Sequence, residues 1–309
     1  MEVINKFLFH CEFEKRLSSK TLKAYSIDLK QYKAFLVNRN VVNTLLMTKE
    51  NLKDYLQFIS TFKPKTIKRK VASVKALFNF LEFEELIEIN PFRKVRIRIK
   101  EPMVLPRVMN VEEATKIFTI AYGEFNEMNN NKESYSFKEK NRDIAALELL
   151  FGTGVRVSEL CTLKYSDIGI GFSSIRVNGK GNKERNIQII NKDIKKALQN
   201  YYQLFSSDIE NQKYFFINRL GNRLSEQSVR LMIRKYRKKC QITKNITPHV
   251  FRHTFATLLL EQDVDIKYIQ NLLGHSSIMT TQIYTHVSTE KQTEILQNKH
   301  PRNDLMIVR

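Results

Sequence analysis

Apolar positions recur at helical spacing through the first ninety residues. Leu22, Tyr25, Leu29, Tyr32 and Leu36 form one stripe, which follows Ser18, Ser19 and Thr21, residues suited to a helix N-cap. Thr48 can cap a helix carrying Leu52, Tyr55, Leu56 and Ile59. A third stripe, Ile67, Val71, Val74, Leu77, Phe78 and Leu81, predicts a helix over 66–81. With the stretch Val3 to Lys15, this makes an all-helical N-terminal domain over 1–91, closed by Asn90-Pro91. All nine glycines lie between Gly123 and Gly274, and a glycine-free segment suits helices joined by short polar loops. Residues 92–108 hold two prolines and carry no helical stripe; they read as an extended basic linker. The alternation of Val95, Ile97 and Ile99 with Arg96, Arg98 and Lys100 leaves a β-strand as the alternative.

The second domain spans 109–287. Asn110 can cap a helix over 111–121, and 123–139 is polar enough for a surface loop. Residues 141–150 are apolar and helical. Segments 174–178 and 185–190 flank Asn178-Gly179-Lys180-Gly181-Asn182, a strong hairpin signal. Helices follow to about residue 300. The fold class is therefore mainly α with a small β-sheet, an α+β domain joined to an all-helical N-terminal one. Residues 288–309 form a further helix, capped by Ser288, and an apolar tail, Leu305 to Val308.

Composition narrows the function. The chain of 309 residues carries a net charge of +20, positive in both the first hundred residues and the remainder. Such a field calls for an anionic partner, and nucleic acid is the first candidate. Cys11, Cys161 and Cys240 are odd in number and far apart, without metal-ligand spacing, so neither a disulfide framework nor a structural zinc is expected, and a reducing cytoplasm fits. The N-terminus is too charged for a signal peptide, and no run approaches a membrane span.

Four of the six histidines, His249, His253, His275 and His286, crowd the C-terminal part. Thr247 and Pro248 open a helix on which His249 and Arg252, three apart, share a face at its positive end. That makes a site for an anionic oxygen, or else only a basic surface pair. Arg156 follows the glycine turn Gly152-Thr153-Gly154, and Glu159, three residues on, can fix its rotamer for a bidentate phosphate contact. The plainer alternative is an exposed ion pair. Lys180 sits at the hairpin tip, followed by Lys183 and Arg185. Gly274 ends a helix before His275, and Tyr284 follows nine residues later.

These segments, TGVRVSEL, GKGNKER, HVFRHTFAT and LGHSSIMTTQIYTH, taken in this order, resemble the tyrosine recombinase (phage integrase) family, Xer-type and integrase members in particular. The resemblance implies a SAM-like, all-helical core-binding domain before residue 110 and an α+β catalytic domain after it, the two closing on DNA as a C-shaped clamp. It implies Arg156 and Arg252 on the scissile phosphate, Lys180 protonating the leaving 5′-oxygen, and His249 as general acid/base. It further implies His275 bonding a non-bridging oxygen, Glu159 supporting the site, and Tyr284 as nucleophile. The chain would then cleave and rejoin strands of double-stranded DNA at specific recombination sites through a 3′-phosphotyrosyl intermediate, without metal, ATP or other cofactor. It would work as a tetramer, with tails exchanged between subunits and accessory DNA-bending or regulatory proteins as possible partners. A type IB-like topoisomerase and a catalytically inactive DNA-binding regulator are the alternatives. Candidate DNA contacts are Lys65, Lys68, Arg69, Lys70, Lys75, Arg96, Arg98, Lys183, Arg185, Arg230, Arg234 and Arg237.

Overall fold

The computed structural model describes residues 2–39, 48–100, 107–127, 134–179, 184–262, 264–274 and 289–306. The chain divides into two compact units, 1–104 and 105–309. It is mainly α-helical, with one small antiparallel sheet among the described residues.

The regular elements of the first unit are all helical among its described residues. Helix α1 (Glu2–Phe9) runs on into a π-helical turn, His10–Glu14, followed by α2 (Ser19–Asn38), α3 (Lys49–Phe58) and α4 (Pro64–Phe83). The caps follow local chemistry: Ser18 Oγ accepts from Thr21 N–H, Thr48 and Asn51 bond reciprocally, and Pro64 occupies the first turn of α4. The stripes meet in one core of Phe7, Leu29, Tyr32, Leu36, Leu52, Tyr55, Val74, Leu77, Phe78 and Leu81. Within it lies Asp28, fully buried and answered by Arg69, by Lys70 at 3.4 Å and by the Ser73 hydroxyl at 2.9 Å. Lys70, expected among the DNA contacts, is itself buried and bonds Asp28 and Gln31. A buried carboxylate must be neutralised by nearby cations, and that demand turns Lys70 inward. Lys65, Lys68, Arg69 and Lys75 remain exposed on α4.

A 3₁₀ turn, Pro91–Lys94, capped by Asn90, leads into residues 95–100, which pair with no strand among the described residues. The alternation is nonetheless real in the packing. Val95, Ile97 and Ile99 lie half-buried against the helical core, while Arg96, Arg98 and Lys100 face outward.

The second unit is built on α6 (Tyr135–Thr153), whose stretch 140–153 is buried on every side; α5 (Val111–Glu127), α8 (Lys192–Glu210) and α10 (Pro248–Glu261) pack against it. Between these come α7 (Val157–Thr162), the hairpin β1 (Ser174–Asn178) and β2 (Glu184–Gln188), and α9 (Glu226–Lys239); α11 (Ile266–Leu273) and α12 (Thr289–Asn298) follow. The strands pair Ser174 with Gln188 and Val177 with Arg185. Asn110 caps α5 as expected, exchanging bonds with Glu113. The surface loop expected over 123–139 is shorter. Helix α5 continues through Gly123 to Glu127 and α6 begins at Tyr135, because Phe125 and Phe137 stack at 4.8 Å and Glu124 bonds the buried Lys140. Tertiary packing overrides the polar composition there.

Behind α6, the segment after α12 packs on its own unit. The Arg302 guanidinium donates to Glu148 at 2.9 and 3.0 Å, Tyr122 OH donates to the same carboxylate at 2.8 Å, and Leu305 joins the core. His300 Nε2 lies 2.6 Å from the Gly152 carbonyl, and its Nδ1 accepts from Arg302 N–H at 3.0 Å. This pairing assigns the neutral Nε2–H tautomer. Ile307 and Val308 of the expected apolar tail, and the Ser288 cap, lie outside the described residues.

Burial lowers the His300 pKa to about 4; the Gly152 hydrogen bond opposes this and Arg302 adds to it. The unfolded chain therefore binds the proton first. The stabilisation is full above the ordinary histidine value and is lost as pH falls from about 6.5 towards 4, by about 3 kcal/mol in all. Amide exchange in 299–305 should accelerate between pH 7.5 and pH 5, and an exchange profile indifferent to pH, after correction for intrinsic rates, would contradict the tautomer.

Candidate active site

The site begins where α6 stops. Gly154 takes φ +61° and its N–H closes the helix on the Leu150 carbonyl. A Cβ there would lie 2.7 Å from both Phe255 and Leu273, so glycine answers backbone and packing alike. The turn delivers Arg156 to the N-cap position of α7. The Glu159 carboxylate, one turn on, accepts the Arg156 backbone N–H at 2.8 Å and its Nη1 at 2.7 Å. This is not an exposed ion pair. Glu159 is 6% exposed, and Arg185, from β2, donates to the same carboxylate through Nη1 at 3.0 Å and Nη2 at 2.8 Å.

Helix α10 supplies the next guanidinium. Thr247 caps its first turn, Pro248 stands at the first helical position, and His249 is exposed one turn before the buried Arg252. Arg252 donates to the Gly154 carbonyl at 2.8 Å and to the Leu273 carbonyl at 2.6 Å. The end of α11 completes the cluster. Arg156 Nη2 donates to the Gly274 carbonyl at 2.9 Å and Arg185 Nε to the Leu272 carbonyl at 2.8 Å. Two guanidiniums thus share one carboxylate, and all three bond the last carbonyls of a helix, the negative end of its dipole. Gly274 ends α11 at φ +62°, and the chain leaves this cluster directly into His275.

The electrostatics follow. Burial works to raise the Glu159 pKa, but hydrogen bonds and charge from Arg185, and then from Arg156, overcome it and hold the carboxyl below its ordinary value. Burial first, and then the charge of Arg156, lower the proton affinity of Arg252. The His253 pKa is lowered by burial first, then by His249 and Arg252. An anion placed against Arg156 and Arg252 would relieve their mutual repulsion.

Among the expected site residues, the structure brings Arg156, Glu159 and Arg252 together, with His249 on the same helix as Arg252. Lys180, Lys183, His275 and Tyr284 lie outside the described residues, although the strands flanking 180–183 are anchored to the cluster through Arg185. Arg185 itself departs from expectation. It was placed among the DNA contacts, yet its donors face Glu159 and α11. The alternation of β2 carries the signal: Arg185 shares a face with the buried Ile187. On α9, Arg230 bonds Glu226 at 2.7 Å, Arg234 is exposed, and Arg237 is half-buried and reaches the Lys244 carbonyl at 3.4 Å.

Residues 120–291 match the phage integrase family, and residues 4–85 match its N-terminal SAM-like domain. A tyrosine recombinase of Agathobacter rectalis is 45% identical, over 97% of both chains. This chain belongs to the phage integrase family of tyrosine recombinases, enzymes that break and rejoin DNA strands. A tyrosine recombinase XerC of Myxococcus xanthus is 36% identical, over 97% of this chain and 98% of its own. Two solved structures share the recombinase fold. XerH recombinase bound to its difH substrate superposes with a TM-score of 0.67 at 21% identity, over 94% of this chain and 83% of its own. A lambda integrase dimer on a core site gives 0.66 at 20%, over 93% and 98%.

In this recombinase, Gly154→Ala combines left-handed strain with overpacking against Phe255 and Leu273. The combined cost should be about 2–5 kcal/mol. The catalytic unit should melt roughly 5–15 °C lower in a thermal scan, and an unchanged melting temperature would refute the packing described here.

Proposed function

We propose that Arg156 and Arg252 bind the scissile phosphate of double-stranded DNA while Tyr284 attacks it. The observation that carries this reading is the convergence of both guanidiniums, held by Glu159 and by the end of α11, at the point where the chain enters His275. In-line attack adds charge to the non-bridging oxygens, which positioned guanidiniums and His275 stabilise. A phenol with a pKa of about 10 needs a base, and the leaving 5′-oxygen needs an acid. His249, exposed on the first turn of α10, and Lys180, in the hairpin anchored through β2, fill those roles. The phosphotyrosyl bond keeps the energy of the broken phosphodiester, so rejoining calls for no ATP.

XerH and lambda integrase were solved bound to DNA sites, and a lambda integrase tetramer was solved on a Holliday junction. The same partner and a tetrameric synapse are proposed for this chain, in the cytoplasm. No helix among the described residues is long and apolar enough to cross a membrane. Exposed Lys65, Lys68, Arg69 and Lys75 on α4, Arg96 and Arg98 after it, Arg230 and Arg234 on α9, and the half-buried Arg237 of the same helix are the proposed contacts to phosphates and bases.

Incubated with nicked suicide substrates, the chain should form a covalent adduct that Tyr284→Phe abolishes while DNA binding persists. Equal adduct yield from the variant would overturn the nucleophile. Strand exchange between two duplexes separates this recombinase from an enzyme that only relaxes supercoils in one.

A further inference from the structure

We infer that Arg185 is a positioning residue of the recombination reaction, holding Glu159, and through it the Arg156 guanidinium, while capping the helix end that leads into His275. The inference rests on the assignment of Arg156 to the scissile phosphate.

The geometry shows how the hold works. Each Glu159 oxygen accepts from both arginines: Oε1 from Arg156 Nη1 at 2.7 Å and Arg185 Nη1 at 3.0 Å, Oε2 from Arg156 N–H and Arg185 Nη2, both at 2.8 Å. The carboxylate is therefore fixed from two sides, with the Arg185 fork engaging both of its oxygens. Arg185 Nε also donates to the Leu272 carbonyl at 2.8 Å. One rigid fork thus spans α7 and α11 from the hairpin whose tip carries Lys180. The side chain is only 12% exposed, so its donors are committed to protein groups rather than to a DNA backbone. Gly274 fits this role, because a Cβ there would stand 2.8 Å from Arg185 Nη1. A lysine would keep the charge but lose the planar fork that serves the carboxylate and the carbonyl together.

Removing Arg185 also changes the titration of Glu159. Among the described residues, the charges facing that carboxylate are Arg156 before α7, Arg185 on β2 and Arg252 on α10. Arg185 is the strongest influence holding its pKa down. Without it, the carboxyl would protonate at higher pH and release Arg156.

The test uses the full-length chain, with DNA affinity and single-turnover adduct formation at saturating DNA measured separately. Arg185→Gln should leave affinity close to wild type and slow adduct formation by on the order of 10²-fold, the loss expected when a reacting group is displaced. The acid limb of its rate profile should move to higher pH, and Arg185→Lys should restore little of the rate. A melting scan accompanies each variant. If Arg185→Gln melts early, Arg185→Lys, which keeps the charge, carries the kinetic comparison alone. An Arg185→Gln or Arg185→Lys chain that cleaves at the wild-type rate once DNA is saturating would overturn the inference, as would a loss confined to affinity or an unmoved acid limb. Arg156→Ala separates this from the underlying assignment. If it cleaves normally, the phosphate role of Arg156 fails. If it is inactive while Arg185→Gln is fully active, only the positioning role fails.

Discussion

Positive charges gathered in one place repel each other, and the active site must hold several of them still. Arg156, Arg185 and Arg252 come together around Glu159, the one buried carboxylate that bonds two of them directly. The rest of the neutralisation comes from the Gly154 carbonyl after α6 and from the carbonyls of Leu272, Leu273 and Gly274 at the negative end of α11. Partial charges of this kind are weaker than a full anion. The cluster is therefore stable enough to fold and still short of negative charge. That deficit is what a phosphodiester supplies on binding, and it grows as attack pushes charge onto the non-bridging oxygens.

The architecture behind the cluster serves this arrangement. Helix α6 is buried along most of its length, so its C-terminus at Gly154 is held by packing from several helices at once. Arg252 bonds the Gly154 carbonyl, and Arg156 sits two residues beyond it, so both guanidiniums are referenced to the same turn. The other face of α6 takes the C-terminal segment, through His300 on Gly152 and Arg302 on Glu148. Displacing that segment would disturb a helix whose end positions the arginines. The order of residues 300–305 is thus coupled to the site through these hydrogen bonds and the packing of α6.

Much of this was legible in the chain. Helix periodicity, the Ser18, Thr48, Asn110 and Thr247 caps, and the pairing of the two hairpin strands follow from local rules and are found where those rules place them. So does the Arg156–Glu159 spacing, which needs only one helical turn. The misread residues share a physical cause. Lys70 and Arg185 look like solvated cations because charge normally faces water. What reverses this is a buried carboxylate contributed from elsewhere in the chain, Asp28 from α2 in one case and Glu159 from α7 in the other. Such pairs leave no local signature, except where strand alternation betrays one, as Arg185 beside Ile187 does. Residues 123–139 were misread for a related reason: the Phe125–Phe137 stack that extends both helices joins positions separated by a polar stretch.

Residues 95–100 show the same logic from the other side. As a free linker, their basic side chains would have no fixed direction. As a strand, their backbone would need a partner, and none pairs with them among the described residues. The structure takes a third course, in which Val95, Ile97 and Ile99 line a groove with Val71, Ala72 and Phe92, rimmed by Lys68 and Lys75 of α4. Anchoring the apolar alternate positions points Arg96, Arg98 and Lys100 outward. The hydrophobic effect here sets the direction of charge. Each apolar residue packed against the helical core restricts its cationic neighbours before any polyanion arrives, which lowers the entropy lost when phosphates bind them.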